Sequence, residues 1–74
     1  MAQKGQHVVP ASEGWAVRRS GSERASAVFA TQDEAIQRGR ELARAQGTEL
    51  YIHGRDGRIR DWISFGERSF SMKG

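Results

Sequence analysis

The residues best suited to chemistry in this chain are arginines set among aromatic rings. The stretch "LYIHGRDGRIRDW", residues 50–62, carries Arg55, Arg58 and Arg60 around a turn. Arg68 follows, and Tyr51, His53 and Trp62 sit between the charges. A guanidinium is planar and presents a fork of donors that matches carboxylate and phosphate oxygens. Rings beside it can stack on bases or fill a pocket on a partner. The plainer reading is a well-solvated turn, and the choice depends on which side chains share a face.

Bond-making chemistry finds little to work with. The chain has no cysteine, which removes disulfides, zinc-thiolate sites and thiol nucleophiles. His7 and His53 lie far apart in sequence without any metal-ligand spacing, and two ligands do not make a zinc site. Ser12, Ser20, Ser22 and Ser26 fall in turns or strands without a nucleophile elbow. Asp33 and Glu34 belong to a helix start, and Asp56 to a turn. "GRDGR" joins two strands and opens no helix, so no helix dipole is aimed at a phosphate. The expectation is a protein that is not an enzyme, with no catalytic residue, cofactor, metal or small-molecule substrate.

Composition narrows the class further. A chain of 74 residues is one domain with a thin core, which makes dimerisation a route to added stability. The formal charge is +3, and ten of the twelve basic residues are arginine. No apolar run approaches the roughly 20 residues that span a bilayer. "MAQKGQHVV" lacks the apolar centre of a signal peptide. A soluble, cytoplasmic protein without membrane contact is expected.

The positioning elements follow from periodicity. "QHVVPASEGWAVRRS" reads as a hairpin, with Pro10 suited to an edge strand and Trp15 and Val17 facing a core. "ASAVFA" is a third strand, with either Val28 or Phe29 inward. "TQDEAIQRGRELARAQG" predicts a helix over about residues 32–46. Thr31 and Glu34 form a capping box, Gly47 is the stop, and Ala35, Ile36, Gly39, Leu42 and Ala43 make one apolar stripe. Gly39 implies close approach of helix to sheet. "ELYIH" and "RIRDWIS" then flank Asp56-Gly57, a strong hairpin signal. A two-residue loop there sets Tyr51 opposite Trp62, His53 opposite Arg60 and Arg55 opposite Arg58. A four-residue loop, 54–57, changes the partners but keeps the faces. Either way Leu50, Ile52, Ile59 and Ile63 take the core side, together with Ile36 and Leu42 from the helix, and Asp61 falls inward near an edge, beside an arginine. Phe65 and Phe70 can fold back onto the body.

The expected architecture is α+β: a single antiparallel sheet, order β-β-β-α-β-β, with one helix on one face. The domain covers residues 1–66, and 67–74 form a loosely packed tail. Across that framework "HVVP", "GWAVRR", "ERAS", "HGRDGRI" and "SFG" resemble a family of small bacterial domains, domain-of-unknown-function family 2188. The resemblance covers about residues 6–66 and departs at "ERSFSMKG". It implies a compact domain and transfers no catalytic residue.

Function is then read from the sheet face opposite the helix. Arg18, Tyr51, His53, Arg58, Arg60 and Trp62 would lie there, with Arg55 at the turn. The expectation is a non-enzymatic binding module that meets a protein partner, or a second copy as a homodimer, through this face. The alternative is nucleic acid, or an acidic protein, held by the arginines and rings.

Overall fold

The computed structural model describes residues 5–22 and 24–65. Along the chain they form β1 (Gln6–Ala11), β2 (Gly14–Arg19), β3 (Ala25–Phe29), α1 (Gln32–Gln46), β4 (Glu49–His53) and β5 (Ile59–Ser64). The class is α+β, with one helix against a five-stranded sheet. Phe70 and residues 67–74 lie outside the described residues.

The sheet is mixed rather than antiparallel. Its spatial order is β3-β2-β1-β4-β5, so the first strand is central and the strands do not follow chain order. The cause is the helix. Two antiparallel hairpins leave β3 running in the direction of β1. The helix carries the chain back to the starting end, so β4 leaves in that same direction and pairs with β1 in parallel. Pro10 is therefore on the central strand, not on an edge. It is tolerated because β4 pairs only with Gln6, His7 and Val8, and Pro10 lies beyond that stretch, opposite Trp15 of β2.

The helix is held at both ends by the residues its sequence marks, and of the expected capping box the Thr31 half is present. Thr31 Oγ1 accepts from the Glu34 N–H at 3.2 Å. At the far end Gly47 is left-handed; its N–H donates to Arg44 O and that of Thr48 to Ala43 O, the Schellman arrangement. Ala35, Gly39 and Ala43 are buried against the sheet. A Cβ on Gly39 would stand 2.7 Å from Leu50 Cδ1 and 3.3 Å from Val8 Cγ2. The missing side chain is what lets the helix lie so close. Val8, Val17 and Leu50 have no exposed surface, and Trp15 completes the centre. Ile36, Leu42, Ile52, Ile63 and Phe65 pack around it, partly buried. Phe29 is the inward residue of its strand, and Val28 is exposed on the other side.

Ile59 is not in the core: it is 52% exposed. The β4–β5 loop has three residues, closed by Gly54 N–H to Arg58 O and Gly57 N–H to Gly54 O. Gly57 has φ +86, the conformation that lets this loop match the strand twist. A bulge then follows between Ile52 and His53. Ile52 pairs with Asp61 and His53 with Ile59, leaving Arg60 as the extra residue. One inserted residue moves Ile59 to the open face. His53 accordingly faces Ile59 and not Arg60, and Arg55 lies within the loop and not opposite Arg58.

Candidate functional site

The face away from the helix carries one row of side chains across four strands. Arg18 on β2 pairs with His7 on β1, His7 with Tyr51 on β4, and Tyr51 with Trp62 on β5. The His7 and Tyr51 rings are 4.9 Å apart at 25°, and Tyr51 and Trp62 are 6.3 Å apart at 27°. Near-parallel rings as close as the first pair overlap face to face, because side by side in one plane their edges would collide. Their spacing matches the distance between strands. The rings therefore stand up from the sheet and use much of their aromatic faces on one another. The outer side of Trp62, at the sheet edge, remains open; Trp62 is 57% exposed.

A second feature was hidden from the sequence. His7 Nδ1 and His53 Nε2 are 2.9 Å apart, His7 Nε2 lies 2.9 Å from Ser20 Oγ, and His53 Nδ1 lies 2.9 Å from Gly57 O. A carbonyl only accepts, so His53 carries its proton on Nδ1. His53 Nε2 then accepts from His7 Nδ1–H, and His7 Nε2 accepts from the Ser20 hydroxyl. The neutral relay has one direction, from Ser20 through both imidazoles to Gly57. Burial holds the His7 pKa below its usual value, and His53 and the Arg18 guanidinium push the same way.

The arginines of the hairpin separate. Arg60 runs over Gly54, and its Nη2 comes within 3.8 Å of Asp56 Oδ2. Arg58 Nε is 4.0 Å from the same oxygen, while Asp56 Oδ1 accepts from the Arg58 N–H. Both side chains are largely exposed. Arg55 turns away and places Cζ 5.5 Å from the centre of the Trp15 ring. Trp15 belongs to the core cluster, so Arg55 stands apart from the ring row. Of the residues singled out in sequence, Arg18, Tyr51, His53 and Trp62 come together, Arg58 and Arg60 gather around Asp56, and Arg55 joins neither group. The arginine expected beside Asp61 is absent among the described residues; Asp61 Oδ1 instead accepts from the Trp62 N–H.

His7 and Ser20 were missed. The only signal for them was the antiparallel register of β1 on β2, which puts His7 beside Arg18 once that hairpin is drawn. Among the described residues there is no group of three or more His, Cys, Asp or Glu side chains able to hold a metal ion. None of their helices is long and apolar enough to cross a membrane.

Comparison with known proteins agrees with the "HGRDGRI" resemblance. Residues 6–65 match a family model described as an uncharacterized protein conserved in bacteria. The chain is 38% identical over 66 residues to the uncharacterized protein YdaT of Bacillus subtilis (strain 168), covering 89% of this chain and 44% of that protein. The chain thus spans less than half the length of that relative. No solved structure matches. With most of its length inside the family model, the chain belongs to domain-of-unknown-function family 2188.

Proposed function

We propose that the domain is a non-catalytic protein-interaction module that docks through the open face of its sheet, with a second copy of the chain as its partner. The observation that carries this is the exposure of Trp62 beside Ile59 on β5, with Val28 on the same face at the other edge. Buried apolar area drives association, and tryptophan and arginine dominate interface energies. The upright rings make a ridged surface, which suits interlocking side chains better than flat stacking on bases.

The row also favours one geometry of pairing. Its cation, Arg18, is at one end and its largest ring, Trp62, at the other. A twofold axis along the strands reverses the row and sets Arg18 of one copy over Trp62 of the next, a cation–π contact. An axis along the row would set Arg18 against Arg18. Two sheets packed this way form a sandwich about 10 Å thick. The lack of cysteine fits a reducing cytoplasm as the place where this happens.

Sedimentation velocity from low to high micromolar chain tests the reading. The parent should shift from monomer to dimer, Trp62→Ala should stay monomeric, and Arg18→Ala, which removes both symmetry-related contacts, should weaken pairing by about thirtyfold, consistent with roughly 1 kcal/mol for each cation–π contact. A parent that stays monomeric throughout rejects self-association.

The exposed Arg58 and Arg60 favour a second reading, contact with a nucleic-acid backbone at the hairpin tip. Titration of single- and double-stranded DNA and RNA at two salt concentrations separates the two. Backbone contact weakens steeply with salt and is lost in Arg58→Ala/Arg60→Ala, while Trp62→Ala changes it little.

A further inference from the structure

Beyond Arg18, the row ends in a cleft of about 440 Å³ that opens to solvent and is lined by His7, Arg18, Arg19, Ser20, Gly21, Ser22 and His53. Every lining side chain is a cation, an imidazole or a hydroxyl, apart from Gly21. No carboxylate of a described residue lines it. Elsewhere Arg38 pairs with Glu41, Arg58 and Arg60 gather at Asp56, and Arg55 covers Trp15, while Arg24, Arg40 and Arg44 have no ion pair among the described residues. Arg18 and Arg19 have no ion pair among the described residues. Arg18 stands on the open face with His7 and Ser20, a guanidinium on a cleft without a described counter-charge, while Arg19, opposite Gln6, leaves β2 on the helix side.

We propose that this cleft is an oxyanion site, taking a tetrahedral dianion of the phosphate class beside Arg18, with the Ser20 hydroxyl as a neutral donor.

The relay makes the site sensitive to protons. With both imidazoles neutral, the Ser20 hydroxyl is spent on His7 Nε2 and cannot serve an anion. When His7 gains a proton, Nε2–H donates to Ser20 Oγ, and the hydroxyl hydrogen turns into the cleft. One protonation thus adds a charge and frees a donor. The pair holds only one extra proton, because two N–H groups cannot face each other across 2.9 Å. The groups facing His7 are Arg18 on β2 and His53 and Tyr51 on β4, with Ser20 just past β2. Arg18 disfavours the charged imidazole, and a bound dianion offsets it. Binding therefore takes up a proton and tightens as pH falls. Ser22 is not the donor, since its Oγ is engaged with the backbone of Arg24.

The test is an NMR titration of the isotope-labelled chain at constant ionic strength, with chloride as the reference salt. Inorganic phosphate and sulfate are the probes. Sulfate carries the pH arm, because its own charge does not change near neutrality. The expected result is saturable shifts of the Ser20 and Gly21 amides and the His7 ring with both dianions and not with chloride. Sulfate should bind a few-fold tighter near pH 6 than near pH 8, since a rise of about one unit in the imidazole pKa gives its full tenfold only below both pKa values and His7 starts below the usual range. Arg18→Ala should weaken binding about tenfold or more, as expected for a charge-assisted bond, and Arg19→Ala should weaken it less. Ser20→Ala, the mildest change, should weaken it while the amide spectrum stays that of the folded chain, and this variant decides the matter should an arginine variant unfold. A 5′-phosphorylated trinucleotide and phosphoserine, compared with inorganic phosphate, distinguish the source of the group. Shifts that chloride reproduces, that centre on Arg58 and Arg60, or that survive both Ser20→Ala and loss of the arginines would overturn the site.

Discussion

The two faces of this sheet are built on different principles. The covered face is organised by exclusion of water. Val8, Val17 and Leu50 have no exposed surface, and Ala35, Gly39 and Ala43 bring the helix down onto them. Contact there is non-directional and depends on volume. The open face is organised by direction. Its order comes from a ring row fixed by strand register and from hydrogen bonds that assign each proton in the relay. The difference teaches where each kind of change will be felt. Substitutions on the covered face act on stability, and those on the open face act on what the domain meets.

The largest effect belongs to the covered face. Leu50→Ala removes a fully buried side chain at the point where β4, β1 and the helix meet. The expected cost is about 2–5 kcal/mol, against a total of roughly 5–15 for a natural domain. Urea unfolding measures it. Leu42→Ala should cost less, because Leu42 is only partly buried. Equal costs would mean that burial does not rank this core.

Gly39→Ala sharpens the same point. In an exposed helix the change gains about 1 kcal/mol of propensity. Here the added methyl meets Leu50 Cδ1 within a full core, and overpacking costs typically 1–3 kcal/mol. Net destabilisation of about 1 kcal/mol is expected. A stabilised variant would show that the helix can lift away from the sheet at little cost.

How much of this was legible from the sequence divides along the same line. The helix, its cap residue Thr31, its stop at Gly47 and its stripe were readable, because they depend on neighbours three and four residues away. The Tyr51–Trp62 pair was also readable, because the three-residue loop and the one-residue bulge together restore the register of a two-residue loop at Asp56-Gly57. Ile59 was misplaced because the bulge at Arg60 has no local signature; it follows from a three-residue loop meeting a strand already fixed by Leu50 and Ile63. The parallel pairing of β1 and β4 was missed for a similar reason, being a property of the crossover rather than of either strand. The relay needed that pairing. His7 meets His53 only when β4 docks beside β1, so no local spacing could announce it.

A smaller effect tests the relay through pH. His7 binds a proton less readily in the folded chain than in the unfolded one, because burial, His53 and Arg18 all disfavour its charge. The unfolded state therefore binds more protons as pH falls through the ordinary histidine range near 6.5, and stability falls with it. Above that range this contribution is fully present. His7→Gln should flatten the slope of stability between about pH 7 and pH 5. An unchanged slope would assign it to other groups.

The smallest effect on stability should come from the residue with the largest role proposed for it. Trp62 lies on an edge strand and loses on folding only part of its surface. Its contact with Tyr51 is a cross-strand aromatic pair, worth about 0.5–1 kcal/mol. Trp62→Ala should therefore lower stability by no more than about 1 kcal/mol at concentrations where the chain is monomeric. At high concentration the parent should gain stability by mass action and the variant should not. Thermal unfolding of both chains over a wide concentration range measures the two quantities at once. A gap that widens with concentration places Trp62 in an interface. A constant gap of several kcal/mol would make it a structural residue and erase the distinction between the two faces.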